Sequence, residues 1–367
     1  MANSALTMYD LSLEQCVTAI SAGGNKRTII AQGHMGIGKT AMLKMLQEEY
    51  PDHVACYFDC TTKDVGDTQI PVILKTTDGQ DYVRFATNEE YGLHLQGHKL
   101  ILMLDELPKC NPSVFNANLR LVYERKMGSY TMHPDSLLFA TGNHGTEGIG
   151  DLLPPHGLNR VTLVRIRKST NMEWIKNFAI NNNVHPIVMA CAKDNPHWFH
   201  SFEDVSSPED NPYIYHPQSS QTAFITGRSL ESASDWLHLR DKFDDITLTS
   251  LLIGTIGERG AKDMMANIKL FDEMPSLESI QKDPKNAKVP TSASATVLVV
   301  YRTLANLEKD WLNAWMDYLV RLDPEAQGLF ANGVKSEKYK KRDIVFTNKK
   351  FTEWATKNNY MFVADKS

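Results

Sequence analysis

Apolar residues return at helical spacing through residues 11–22 (LSLEQCVTAISA), and the GGN that follows predicts the end of a helix. KRTIIAQ predicts a short buried strand that enters GHMGIGKT, after which AMLKMLQEEY takes a helical pattern. VACYFDC predicts a second strand, KLILMLDEL a third, SLLFATGN a fourth and RVTLVRIR a fifth. The third is apolar without a break, as in a parallel strand covered on both faces. PSVFNANLRLVYERK predicts a helix between the third and fourth strands. Residues 64–90 alternate in polarity and contain a DG turn, the pattern of a hairpin insert. Strands alternating with helices over residues 25–168 predict a doubly wound α/β fold, a parallel sheet in a three-layer αβα arrangement.

Beyond Lys168 the pattern turns helical. Residues 194–220, rich in Pro, Asp, Ser and His, predict a long loop. Helices are expected at GRSLESASDWLHLRDKF and TLTSLLIGTIGERGAKDMMANIKLF, a linker at KDPKNAKVPTS around residue 287, and one helical piece over VLVVYRTLANLEKDWLNAWMDYLVRL before a basic stretch and a short C-terminal helix. The expected division is an α/β core over residues 1–170, a helical segment over 171–285 and a helical C-terminal extension over 286–367.

Composition narrows the class without changing this picture. The 367 residues are 42% hydrophobic and 23% charged, ordinary for a globular protein with a large core. A net charge of −5 disfavours nucleic acid as the main partner. The N-terminus lacks the pattern of a signal peptide, and the longest apolar runs fall short of the ~18 residues of a membrane span. Five scattered cysteines, Cys16, Cys56, Cys60, Cys110 and Cys191, read as reduced thiols of a cytoplasmic protein, and the Cys56/Cys60 pair has no second pair to complete a zinc site.

The chemistry lies in two motifs. Gly33-His34-Met35-Gly36-Ile37-Gly38-Lys39-Thr40 fits G-x-x-x-x-G-K-[ST] between a predicted strand and a predicted helix, the context of a phosphate-binding loop. Its glycines let backbone N–H groups turn toward phosphate oxygens, and the helix beginning near Ala41 adds its positive end. Lys39 would reach the β- and γ-phosphates of ATP, and the Thr40 hydroxyl would ligate Mg²⁺. The third strand ends in Asp105 and Glu106. Asp105 would hold the Mg²⁺ shell and Glu106 would act as general base on the attacking water. Together these motifs predict an ATPase; no N-K-x-D base-reading motif favours GTP.

The segment LDELPKCNPSVFNANLRLVYERKMGSY resembles that of MoxR-type AAA+ ATPases, in which the acid pair opens a helix ending near a Glu-Arg pair. The next strand, Leu138 to Asn143, resembles the family's sensor 1 strand with Asn143 as its polar tip. Residues 153–160 (LPPHGLNR) resemble the segment that carries the arginine finger, which implies Arg160 acting on a neighbouring subunit's γ-phosphate; Asn159-Arg160-Val161 departs from the family's Asp-Arg-Phe, and Arg165 and Arg167 are rivals. Phe224 to Ser229 resembles the sensor 2 segment at the start of a lid helix, implying Arg228 as the sensor, although Gly227 stands where relatives often have Pro. The Gly-rich turn at Gly254–Arg259 is similar to turns in the lid of phage and bacterial relatives. The resemblance covers residues 11–280. It implies a homo-oligomeric, hexameric ring in a bacterial or phage-infected cytoplasm, remodelling a protein client such as a partner with a von Willebrand factor A domain, with residues 64–90 facing the pore or client. The alternatives are a nucleic-acid motor or restriction-type NTPase subunit, and a slow ATP-dependent switch. His185, His197, His200 and His216 lack the spacing of a zinc site, the basic run at 335–350 reads as a solvated face, and Trp311, Trp315 and Met316 read as core.

Overall fold

A computed structural model describes residues 10–143, 159–272 and 274–362. The chain divides into two compact units at residue 168. In chain order the first contains α1 (Leu13–Gly23), β1 (Ile29–Gly33), α2 (Ala41–Glu49), β2 (Val54–Asp59), the single turn α3 (Val65–Thr68), β3 (Gln69–Lys75), β4 (Asp81–Thr87), β5 (Leu100–Asp105), α4 (Pro112–Glu124), β6 (Lys126–Met127), β7 (Tyr130–Thr131), β8 (Leu137–Gly142) and β9 (Thr162–Ile166).

Five of these strands form one parallel sheet in the order β2-β5-β8-β1-β9. Side chains alternate across a strand, and the apolar runs supply two cores at once. Leu100, Leu102 and Leu104 of β5 and Leu138 and Ala140 of β8 join the core under α4. Ile101, Met103, Leu137 and Phe139 join the core with Cys16, Val17 and Ile20 of α1 and Met42 and Leu46 of α2. Each such side chain contributes roughly 1.5–3 kcal/mol of burial. The three-layer α/β fold expected from the strand–helix alternation is therefore present.

Helix ends follow local chemistry. Ser12 caps α1 in a reciprocal box with Gln15. Asn111 caps α4, with Pro112 in its first turn. α4 stops at Arg125, whose backbone turns left-handed at φ 58°. The Arg125 guanidinium donates to Thr28 Oγ1 and the Val122 carbonyl, both at 2.6 Å, and to the Gly24 carbonyl at 3.0 Å. It thus ties α4 to the loop between α1 and β1, and burial pulls its pKa down to about 10.

The 64–90 insert is the antiparallel pair β3–β4, with Ile73 opposite Val83, and it turns at Gly79 where φ is 82°. Ile70, Ile73, Val83 and Phe85 are all exposed, Ile73 by 71%. The sequence reading did not foresee the small β6–β7 hairpin.

The second unit is helical: α5 (Asn171–Asn177), α6 (Pro186–Asp194), α7 (Gly227–His238), α8 (Asp245–Asp272), α9 (Leu277–Lys282), α10 (Ala293–Asn306), α11 (Leu312–Leu319), α12 (Pro324–Lys335), α13 (Arg342–Phe346) and α14 (Lys349–Lys357). Beyond Asp194, the last residue of α6, the predicted loop over 194–220 holds no α-helix or strand, only short 3₁₀ turns. It is pinned by Asn211 Nδ2 donating to the His197 carbonyl at 2.7 Å and Tyr213 OH donating to Asp263 at 2.9 Å. α8 is broken at Gly257, where φ is 80° and an added Cβ would stand 2.9 Å from the Ala223 carbonyl oxygen.

The expected single helix over residues 297–322 is two helices, because Leu307 turns extended to bury its side chain in the core. The expected linker is held in place: Ala287 is buried, Tyr318 OH donates to the Lys288 carbonyl at 2.7 Å and Arg321 Nη1 to that of Pro284 at 2.5 Å. Trp174, Leu252, Trp315 and Phe351 belong to one hydrophobic core, so the helices before and after residue 285 share their packing. No helix among the described residues is long and apolar enough to cross a membrane.

Candidate functional site

The strand order decides which side chains meet. β8 lies between β1 and β5, and all three are parallel, so their C-terminal ends open on one edge. Ligands of open parallel sheets bind at that edge. β1 ends at Gly33, β5 at Asp105 and β8 at Gly142, each followed by a residue or loop of candidate chemistry.

After β1 the chain enters the Gly33–Thr40 loop. Gly36 and Gly38 take φ of 74° and 95°, in the left-handed region that favours glycine. Gly33 is constrained by space: a Cβ there would stand 2.2 Å from Ile37 Cδ1, so the Ile37 side chain closes over the start of the loop. The loop delivers Lys39 into the site and Ala41 to the first position of α2. Thr40 is the N-cap of α2 but makes no side-chain capping bond, and it is exposed.

Lys39 is buried. Its Nζ donates to the Gly33 carbonyl at 2.8 Å, to the Gly142 carbonyl at 3.0 Å and to Asn143 Oδ1, and it stands 3.3 Å from Glu106 Oε1. Asn143 Nδ2 donates to Glu106 Oε2 at 2.8 Å. The structure thus brings Lys39, Glu106 and Asn143 into one cluster.

Glu106 would point to the opposite face from Asp105 if the strand continued. Its left-handed backbone, φ 51° and ψ 36°, breaks that alternation and aims the carboxylate at Lys39 and Asn143. Such a conformation costs roughly 1–2 kcal/mol for a residue with a Cβ. Thr141 supports the turn, because the Glu106 N–H donates to Thr141 Oγ1 at 3.0 Å. The same hydroxyl donates to Asp105 Oδ1, and Tyr57 OH donates to Asp105 Oδ2 at 2.7 Å. Thr141 and Tyr57 were missed in the sequence; the signal was one polar residue inside the otherwise apolar β8 and one on β2, the two strands that flank β5.

Thr40 and Asp105 present a hydroxyl and a carboxylate, oxygen donors that suit a hard cation such as Mg²⁺, which takes few protein ligands and completes its shell with phosphate and water. The positive-φ glycines ahead of them suit a phosphate chain. The residues present therefore fit both ATP and Mg²⁺.

The candidate arginines of the first unit make other contacts. Arg160 is exposed, with its guanidinium 4.1 Å from the centre of the Tyr123 ring. Arg165 Nε stands 3.6 Å from Asp10 Oδ1, and Arg167 Nη1 donates to the Lys168 carbonyl at 3.2 Å. The rest of the finger segment, residues 153–158, lies outside the described residues. Arg228 belongs to the second unit, exposed in the first turn of α7 after the Thr226–Ser229 capping box.

No protein-family model matches the chain, and no curated protein matches it. Among solved structures, a point mutant of RuvB from Thermotoga maritima is 16% identical over 82% of this chain and 84% of that one, with a TM-score of 0.36. The RuvB Holliday junction branch migration motor of the same organism is also 16% identical, over 82% and 86%, with a TM-score of 0.34. These values are low, and the fold assignment rests on the strand order and loop geometry of this chain itself.

Proposed function

We propose that this protein is an ATPase of the AAA+ class, resembling the MoxR type, that hydrolyses ATP at the interfaces of a hexameric ring to remodel a protein client. The observation that carries this reading is the meeting of Lys39 with Glu106 and Asn143 beside Asp105, at the C-terminal edge of three adjacent strands.

Gly33, Gly36, Ile37 and Gly38 shape the phosphate loop, and Ala41 opens the helix whose N-terminus faces anions. Lys39 neutralises charge on the β- and γ-phosphates. Mg²⁺, held by Thr40 and Asp105, would supply further neutralisation of the phosphate chain. Glu106 takes a proton from water as its oxygen attacks the γ-phosphorus, and the bond to the ADP leaving oxygen breaks. Asn143 orients both Glu106 and the water. Arg160, supplied by a neighbouring subunit, balances charge that grows in the transition state, an effect of about 10³–10⁵ in rate for such fingers. Arg228 reports nucleotide state to the helical unit, which acts as the lid. The exposed Ile70, Ile73, Val83 and Phe85 of the β3–β4 hairpin support its assignment as a client-facing surface. A partner with a von Willebrand factor A domain is the client class that the sequence resemblance suggests.

ATP turnover per subunit, measured against protein concentration, tests the reading. A rate that climbs and then saturates, and that Arg160→Ala abolishes while nucleotide binding persists, is expected. No turnover at any concentration would overturn the hydrolytic reading. Turnover independent of both concentration and Arg160 would overturn the assignment of a finger in trans.

A further inference from the structure

Asp105 receives one hydroxyl from each strand beside it. From β8, Thr141 donates to Oδ1; from β2, Tyr57 OH donates to Oδ2 at 2.7 Å. A hydroxyl has one proton and two acceptor lone pairs. The Glu106 N–H already occupies one lone pair of Thr141 at 3.0 Å, so the Thr141 proton goes to the carboxylate. One buried side chain, 0% exposed, therefore fixes the carboxylate of one acidic residue and the backbone of the next. A β-branched side chain of this shape would fill the strand equally well as valine, which makes the hydroxyl the informative part of the residue.

We infer that Thr141, with Tyr57 as its counterpart, is a positioning residue that sets the aim of Asp105 toward the metal ion and of Glu106 toward the attacking water. This rests on the proposed ATPase function; Tyr57 lies outside the motifs that suggested it, and Thr141 lies in the strand that ends at Asn143 but has no role of its own there. Thr141 and Tyr57 act through Asp105 and are not themselves ligands. Partners of metal-binding groups typically alter metal affinity by about 10–100-fold when removed.

The test uses the full chain with Thr141→Val, Thr141→Ser and Tyr57→Phe. The affinity for a fluorescent ATP analogue is measured in Mg²⁺ and again in EDTA, and Mn²⁺ binding to the nucleotide complex is followed by electron paramagnetic resonance. Thr141→Val should lose about 10–100-fold of Mn²⁺ affinity and most of the gain in nucleotide affinity that Mg²⁺ confers, with affinity in EDTA unchanged. Thr141→Ser, which keeps the hydroxyl, should restore both. Tyr57→Phe, at a position 40% exposed, should fold normally and show a smaller loss of the same kind. Thr141→Val with wild-type metal dependence and only a lower melting temperature would overturn the inference, as would Thr141→Ser behaving like valine. If Thr141→Val does not fold, unchanged metal dependence in Tyr57→Phe overturns it. Wild-type protein that binds no nucleotide overturns the ATPase reading, and this inference with it. Wild-type protein with normal Mg²⁺-dependent binding alongside indifferent variants overturns the inference alone.

Discussion

Asn143 donates to Glu106 at 2.8 Å while accepting from Lys39, so the amide stands between the cation and the acid and touches both. On the proposed mechanism these three residues separate binding from chemistry. Glu106→Gln should keep nucleotide binding and lower single-turnover hydrolysis by about 10²–10⁴, the range of a lost general base. Asn143→Ala should lower the same rate by a smaller factor. Lys39→Ala should lose nucleotide affinity itself. Rapid-quench hydrolysis and fluorescent nucleotide titration read the two quantities separately.

Gly33 and Ile37 are coupled by space. Gly33→Ala would place its Cβ against Ile37 Cδ1, with the Ile166 carbonyl oxygen 3.3 Å away on another side. The Ile37 side chain must then leave the loop, and weaker nucleotide binding is expected. Ile37→Ala in the same chain removes the collision and should recover most of the affinity. A double-mutant cycle should give a coupling of roughly 0.5–3 kcal/mol, the range for contacting residues. Additive losses would show that the glycine matters for another reason.

Arg125 should behave as a structural residue. Its three acceptors come from α4 and from the Gly24–Thr28 segment. Arg125→Ala leaves them without this donor and should lower unfolding free energy by about 2 kcal/mol or more. Chemical denaturation with a constant slope would show it, and Arg125→Lys should recover only part, because a single ammonium does not reproduce the fork.

His185 predicts an acid limit for the helical unit. Its Nδ1 accepts from the Ile187 N–H at 3.2 Å, capping α6, which requires that nitrogen unprotonated. Burial lowers its pKa from 6.5 to about 3, aided by His238, Arg240 and Arg302 around it. The unfolded chain therefore binds a proton that the folded chain refuses. Stability is complete above pH 6.5 and falls between 6.5 and 3, by up to about 1.4 kcal/mol per pH unit for one proton. His185→Asn keeps an N-cap acceptor without titrating. Melting temperature against pH should have a shallower slope below 6.5 in this variant, and an unchanged slope would place the acid sensitivity elsewhere.

Much of the first unit was legible because its signals are local. The loop from Gly33 to Thr40, the apolar strand ending at Asp105 and the β3–β4 turn at Gly79 each announce themselves within a few residues. What was not legible depends on partners far away in the chain. Thr141 reads as one more residue of a buried strand until β5 is set beside it. Arg125 reads only as part of the Glu-Arg pair that ends a helix until its own left-handed backbone after α4 carries its side chain toward Gly24. α12 was overlooked because Gly328 and Gly333 weaken its helical pattern. Gly333 is explained only by packing, since a Cβ there would stand 2.6 Å from Leu304 Cδ1. The break at Leu307 and the anchoring of Ala287 are likewise decided by the core they share.

The position of β8 makes the sheet a gauge as well as a scaffold. Phe139 is paired on one side with Ile29 and on the other with Met103, so both ladders fix where Thr141 comes to rest. Slipping β8 by a single residue would turn Thr141 to the other face and present Ala140 or Gly142 to Asp105, neither of which has a hydroxyl. One residue inserted into β8 should therefore silence the site while leaving most of the hydrophobic burial available. The same insertion at the tip of the β3–β4 hairpin, beside Gly79, shifts no pairing in the five-stranded sheet. Sites of tolerated and forbidden length change are thus set by distance from β8 along its hydrogen-bonded ladders, and lie unevenly along the chain.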